Sequence, residues 1–240
     1  MIVFADYDNI DPLIQSRGIE HIVQRIISAV SILPIVAQPR LNVRFYGGWF
    51  FGSNLTKVGQ SISTQISGAF PMRITQPWAG ESKSVDVIAN AQIARGLAAC
   101  EQLPLHHTYR RRPFKGKLHF HDRNAHLCGS AASCPMATIE SFIESQKCPT
   151  PGCTVQQHQV LDKSEQKLVD TMLVADLLFW ASQPSHPILA VLGSDDDMWP
   201  GIRTAAALAP PVIQIHTERS PEHANYVRHL TTKSYLQTQL

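Results

Sequence analysis

Three aspartates stand side by side in "LGSDDDMWP" (192–200), just after the apolar run "HPILAV". Like charges at adjacent positions repel, and they persist cheaply only where solvent screens them or a cation neutralises them. Two more acids, Asp6 and Asp8, follow the apolar run "IVFA" near the N-terminus. Carboxylates gathered in this way do hard-cation chemistry: their oxygens suit Mg²⁺ or Mn²⁺, whereas a softer metal would want Cys or His. Asp195 and Asp197 are two apart, so both can point one way while Asp196 points elsewhere. Taken singly, an Asp after a strand is often a helix cap, and Asp195 can cap the helix that follows it. The joint pattern favours the metal.

The elements that would position these acids alternate. "IVFA" reads as a strand, "GIEHIVQRIISAVSIL" (18–33) as an amphipathic helix and "LNVRFYGGWF" (41–50) as a strand entering a glycine turn. "NLTKVGQSISTQI" (54–66) is a weaker helix, "PMRITQ" (71–76) a strand and "SVDVIANAQIARGLAA" (84–99) helical again. After residue 163 come a helix over 164–182 with Ser164 as N-cap, a buried strand "PILAVLG" (187–193), a helix over 198–209 and a strand "PVIQIHT" (211–217). The polar residues 218–240 read as a C-terminal tail with one helical turn or two. Strand–helix alternation with nearly continuous apolar strands predicts an α/β fold, a mainly parallel sheet with helices on both faces.

In such sheets sites form at the carboxyl ends of the strands. If the first strand neighbours "PILAVLG", Asp6 and Asp8 meet Asp195 and Asp197 across a strand spacing of roughly 4.8 Å. Asp170, in the first turns of the preceding helix and three residues from Lys167, can join them from above the sheet. Asp176 lies on another face and is expected against solvent or a loop.

The whole chain has 240 residues, 44% of them hydrophobic, which is enough for one domain carrying an insertion. A net charge of +2 says little about partners. No apolar stretch is long enough for a membrane span, and the opening "MIVFADYDNI" reads as a strand rather than a leader, so a cytoplasmic protein is expected. Nothing in the sequence decides for or against a protein partner or a homo-oligomer.

The acidic blocks together resemble the NYN domain family of the PIN-like metal-dependent nucleases. "VFADYDNI" (3–10), "KLVDTMLVADLL" (167–178) and "LGSDDDMWPGI" (192–202) carry the resemblance, with "FYGG" (45–48) in support. It covers roughly 1–75 and 160–217; Met198 stands where the family usually has Phe. The resemblance implies a three-layer α/β/α PIN-like (Rossmannoid) domain over 1–217. It implies metal ligands at Asp6, Asp170, Asp195 and Asp197, supported by Asp8, Asn9, Lys167 and Ser194. The activity implied is endonucleolytic hydrolysis of phosphodiesters, in RNA, with Mg²⁺ or Mn²⁺. Two other readings stand beside it. "DYDNI" also fits the Asp-x-Asp opening of haloacid dehalogenase-type phosphatases, although Asn9–Ile10 replaces their usual Gly-Thr-like ending. A non-catalytic nucleic-acid-binding module is the other.

Residues 101–160 break the alternation and read as an insertion. "YRRRPFKGK" (109–117) interleaves Tyr109 and Phe114 with Arg110, Arg111, Arg112, Lys115 and Lys117, a pattern that grips phosphates and stacks bases. Four of the five cysteines follow: Cys128, Cys134, Cys148 and Cys153. In a reducing compartment they suggest a structural zinc site, with His119, His121 or His126 able to replace a thiolate. Cys100 reads as a core residue, and Trp49, Phe50, Phe51 and Trp199 as core aromatics near the site.

Overall fold

The computed structural model describes residues 1–114, 135–209, 211–217 and 234–240. In chain order its strands and helices are β1 (Ile2–Asp6), α1 (Pro12–Gln15), α2 (Ile19–Ser31), β2 (Arg40–Tyr46), β3 (Phe50–Phe51), β4 (Asn54–Leu55), α3 (Lys57–Ala69), β5 (Met72–Gln76) and β6 (Val85–Ile93). There follow β7 (Tyr109–Pro113), α4 (Met136–Ser145), α5 (Gln157–Val160), β8 (Asp162–Gln166), α6 (Val169–Ala181), β9 (Leu189–Leu192), α7 (Trp199–Leu208), β10 (Val212–His216) and β11 (Tyr235–Gln239). Two compact units result, Met1–Tyr109 with Gln166–Leu240, and Arg110–Glu165.

The first unit is mixed α/β around a seven-stranded sheet in the order β11-β10-β9-β1-β2-β6-β5. Every neighbouring pair is parallel except β5 with β6. The side-chain period of two sends Val3 and Ala5 into a cluster with Ile22, Val23, Ile26 and Val30 of α2. Phe4, between them, joins Leu173 and Leu177 of α6 and Ile202 of α7 in a second cluster. β1 and β9, both near the middle of the sheet, are apolar almost throughout because each is covered on both sides.

Several expectations are corrected. Residues 85–93 form a strand, not a helix: Val85, Ala89 and Ile93 suit either period, Val87 and Ala91 complete the alternation of a strand, and pairing with both β2 and β5 decides it. The helix expected from Ser164 begins at Val169; Ser164 lies in β8, and Leu168, at φ 69°, turns the chain into α6. Residues 235–239 are no helical tail. They form the edge strand β11, parallel to β10, because Tyr235 is buried and the segment continues the sheet's hydrogen bonding. Cys100 closes a 3₁₀ turn, Ala98–Cys100, half-buried rather than in the core. Trp49 and Phe50 are core residues as expected, but Phe51 is largely exposed and Trp199 half-buried.

Asp176 is the largest surprise. It is buried, and accepts hydrogen bonds from Arg44 Nε at 3.1 Å, from the Tyr46 hydroxyl at 2.7 Å and from the Ala98 N–H at 2.7 Å. Arg44, also buried, extends its Nη1 to Glu101 at 2.6 Å.

The second unit holds β7, α4, α5 and β8; the chain passes from the first unit into it after Tyr109 and returns at Gln166. β7 and β8 pair with one another. Among the described residues no helix is long and apolar enough to cross a membrane.

Candidate metal and catalytic site

The strand register brings the acidic groups to one edge. Ala5 pairs with Leu192 in the parallel β1–β9 ladder, so Asp6 and the Gly193–Ser194–Asp195 turn leave the sheet side by side. Gly193 leaves room there for Met198: a Cβ on it would lie 2.4 Å from Met198 Cε, so that side chain would have to shift. Met198 is fully buried and closes the short 3₁₀ turn Asp196–Met198 under the acids.

Asp6 is buried, with Oδ1 accepting the Asp8 N–H at 3.1 Å and Oδ2 accepting Asn9 Nδ2 at 2.8 Å. Burial pushes its carboxyl above the ordinary range and the Asp8 charge adds to that, against the hydrogen bonds, which pull it down. Asp8 is likewise raised, first by desolvation and also by Asp170, while the Gln166 amide and the Gly48 N–H facing it work the other way. Asp170, half-buried in the first turn of α6, is raised by desolvation and then by Asp6, Asp195 and Asp197 in turn. Every charge that perturbs Asp170 is another carboxylate, so the four expected ligands share one electrostatic neighbourhood.

Asp195, Asp196 and Asp197 are all exposed. Asp195 also caps, its Oδ1 accepting the Asp197 N–H at 3.1 Å. The capping and metal readings of this residue are therefore compatible: one oxygen shapes the turn and the other remains. Ser194 is buried, its Oγ accepting the Thr217 N–H at 3.0 Å and meeting Thr217 Oγ1 at 3.2 Å, which fixes the start of the acidic turn. Lys167 is exposed and lies outside α6, its N–H donated to the Thr108 carbonyl at 2.9 Å, so it does not share a helix face with Asp170.

The donor set suits a hard cation by type, and the mutual repulsion around Asp170 is what such a cation would relieve. Among the described residues, however, no three His, Cys, Asp or Glu side chains already stand close enough to hold a metal ion. Mg²⁺ needs no such cage, because it keeps several waters and takes one or two carboxylates directly. A cleft of about 860 Å³ is lined in part by Asp8, Asn9, Arg25, Thr217 and Gln239, and not by Asp6, Asp170, Asp195 or Asp197.

The remaining expected residues lie in the second unit. Arg111 and Arg112 are exposed on β7, Arg110 is half-buried beside them, and Arg112 Nε stands 3.6 Å from Glu165. Cys148 and Cys153 are free thiols on one hairpin. Lys115, Lys117, His119, His121, His126, Cys128 and Cys134 lie outside the described residues.

Sequence reasoning overlooked Gln166 and Gly48 at Asp8, and Gln214 behind Gly193. Only Gln214 left a signal, as the one polar residue inside the otherwise apolar "PVIQI". The chain matches no protein-family model, no curated protein and no solved structure.

Proposed function

We propose that the chain is a metal-dependent endonuclease that hydrolyses phosphodiester bonds in RNA, acting in the cytoplasm on a three-layer α/β/α PIN-like domain of the NYN kind. The observation that carries this reading is the gathering of Asp6, Asp170, Asp195 and Asp197 at one sheet edge, where each charge that raises Asp170 is another carboxylate. Those four would hold Mg²⁺ or Mn²⁺. Such an ion, when bound, supplies positive charge to phosphate oxygens and makes a coordinated water more acidic. Asn9 orients Asp6, Asp195 shapes its own turn, and Asp8 adds a second carboxylate on the β1 side. Lys167, exposed ahead of Asp170, offers a cation to the substrate backbone. Arg110, Arg111 and Arg112, with Lys115 and Lys117, would add phosphate contacts.

The same reading gives the second unit a zinc site. Cys148 N–H bonds the Val155 carbonyl at 2.9 Å, and Cys153 N–H bonds the Thr150 carbonyl at 3.0 Å. Gly152, at φ 81°, makes the turn between them. The two thiols face each other, with the Thr150 hydroxyl and N–H directed at Cys148. Two thiolates so placed are half of a tetrahedral zinc site, and Cys128 and Cys134 are the candidates for the rest.

Labelled single-stranded RNA, double-stranded RNA and DNA, incubated with Mg²⁺, Mn²⁺ or chelator, test the enzyme. Internal cleavage of RNA that chelator stops is the expected result. RNA bound but left intact under every metal condition would assign a binding module instead, and a phosphoaspartate trapped on Asp6 would assign a phosphatase. Elemental analysis should find about one zinc per chain, lost in Cys148→Ser.

A further inference from the structure

Gln214 is an anomaly in β10. It sits among Val212, Ile213 and Ile215, all fully buried, and is itself only 4% exposed. An amide in such a place costs stability unless both its ends are satisfied. They are. Its Nε2 donates to the Gly193 carbonyl at 3.0 Å, and its Oε1 accepts the Tyr235 hydroxyl from β11. The Gly193 carbonyl fixes the orientation of the amide: it can only accept, so Nε2 must face it, and Oε1 is left to take the Tyr235 hydroxyl, which holds the other end of the group.

Gly193 is the last residue before the acidic turn. Its N–H already bonds the Ile215 carbonyl at 3.1 Å, and Gln214 takes its carbonyl. The next residue, Ser194, is held by Thr217. Two attachments to β10 and one to Thr217 just beyond it thus direct the chain as it leaves β9 toward Asp195, and the Gln214 attachment is the one backed by a side chain of the edge strand.

We propose that Gln214 is a positioning residue for the Asp195–Asp197 carboxylates, locked in place by Tyr235. The inference rests on the nuclease reading for its effect on rate, but its structural half can be read without catalysis. Loss of the amide frees the Gly193 carbonyl and lets the acidic turn drift while the strands stay paired. Metal affinity and turnover then fall together, whereas contact with distant parts of the RNA is unaffected.

The test uses the full-length protein with Gln214→Leu, Tyr235→Phe and the double variant. Three quantities are measured: kcat and KM on RNA across a Mg²⁺ titration, Mn²⁺ affinity without RNA, and amide hydrogen exchange over 193–198. Gln214→Leu should weaken Mn²⁺ binding and lower kcat, each by about tenfold as expected for one lost hydrogen bond at a buried site. KM for RNA should stay the same and exchange at 193–198 should rise. Tyr235→Phe should shift the same quantities less, and should add nothing in the Gln214→Leu background. Unchanged exchange and Mn²⁺ affinity in a folded Gln214→Leu protein would overturn the inference. If Gln214→Leu fails to fold, Tyr235→Phe decides by the same readouts, since it removes only the lock. A parent protein that neither binds Mn²⁺ nor cleaves RNA, yet loosens at 193–198 in the variants, would overturn the nuclease reading and with it the catalytic half of this inference.

Discussion

Asp176 of α6 and Arg44 of β2 are joined 3.1 Å apart in the interior, 132 residues from each other along the chain. Arg44 and Tyr46 point to the same face of β2, and both reach the same Asp176 oxygen, Oδ2. The other oxygen takes the Ala98 N–H. This buried junction pins α6 to the sheet and sets where Asp170, six residues earlier on the same helix, stands over the acidic edge.

Asp176→Leu should therefore be severely destabilising. It leaves Arg44 Nε and the buried Tyr46 hydroxyl without their acceptor; breaking one side of a buried ion pair costs about 3–5 kcal/mol, and the Glu101 carboxylate that Arg44 keeps puts the loss at the lower end of that range. Urea unfolding measures it; a loss under about 1 kcal/mol, the size of an exposed pair, would show that the junction is not holding α6.

Asp170→Asn should do the opposite in metal-free protein. The folded-state affinity of Asp170 for protons is raised, so the native state holds more protons than the unfolded chain between the ordinary carboxylate pKa of about 4 and the raised value. Stability supplied by the protonated form is full below that window and is lost as pH rises through it. Asn carries no charge at any pH. The variant should melt higher than the parent at pH 7, with the difference vanishing toward pH 4, while metal-dependent cleavage disappears. Melting curves at both pH values, without divalent ions, check the sign.

The three adjacent aspartates should respond unequally. Asp195→Asn keeps a capping oxygen for the Asp197 N–H but removes a charge, and should cut cleavage about 100-fold or more with little change in stability. Asp197→Asn should cost as much, and Asp196→Asn far less. Equal activity in all three variants would remove the site from this turn.

Replacing Arg110, Arg111 and Arg112 with Ala should weaken RNA binding and flatten its dependence on salt by up to about three charges' worth of slope. Arg112 has a carboxylate, Glu165, 3.6 Å from its Nε, so Arg111→Ala alone should account for more of the change than Arg112→Ala. Binding isotherms at several salt concentrations separate the cases.

Gly193→Ala introduces a Cβ where Met198 Cε already sits, 2.4 Å away. Overpacking of this kind costs about 1–3 kcal/mol, and Met198→Ala in the same chain should recover part of it rather than add its full own cost. A double-mutant cycle by chemical unfolding reads that coupling.

The sequence by itself determined the strand–helix alternation, the parallel character of the sheet and the acids at the ends of β1 and β9, because buried strands and strand-end carboxylates leave local patterns. It did not decide residues 85–93, where apolar residues at 85, 89 and 93 suit a helix and a strand alike until β2 and β5 lie on either side. Nor did it reveal β11: a short polar edge strand has little pattern of its own and exists because β10 offers it a free edge. Asp176 read as an acid facing solvent or a loop for the same reason. Its partners Arg44, Tyr46 and Ala98 are far from it in the chain, and a carboxylate's burial depends on what faces it. Gln214 was visible as a polar residue in an apolar strand, but only the tertiary structure places Tyr235 on one end of its amide and the start of the acidic turn on the other.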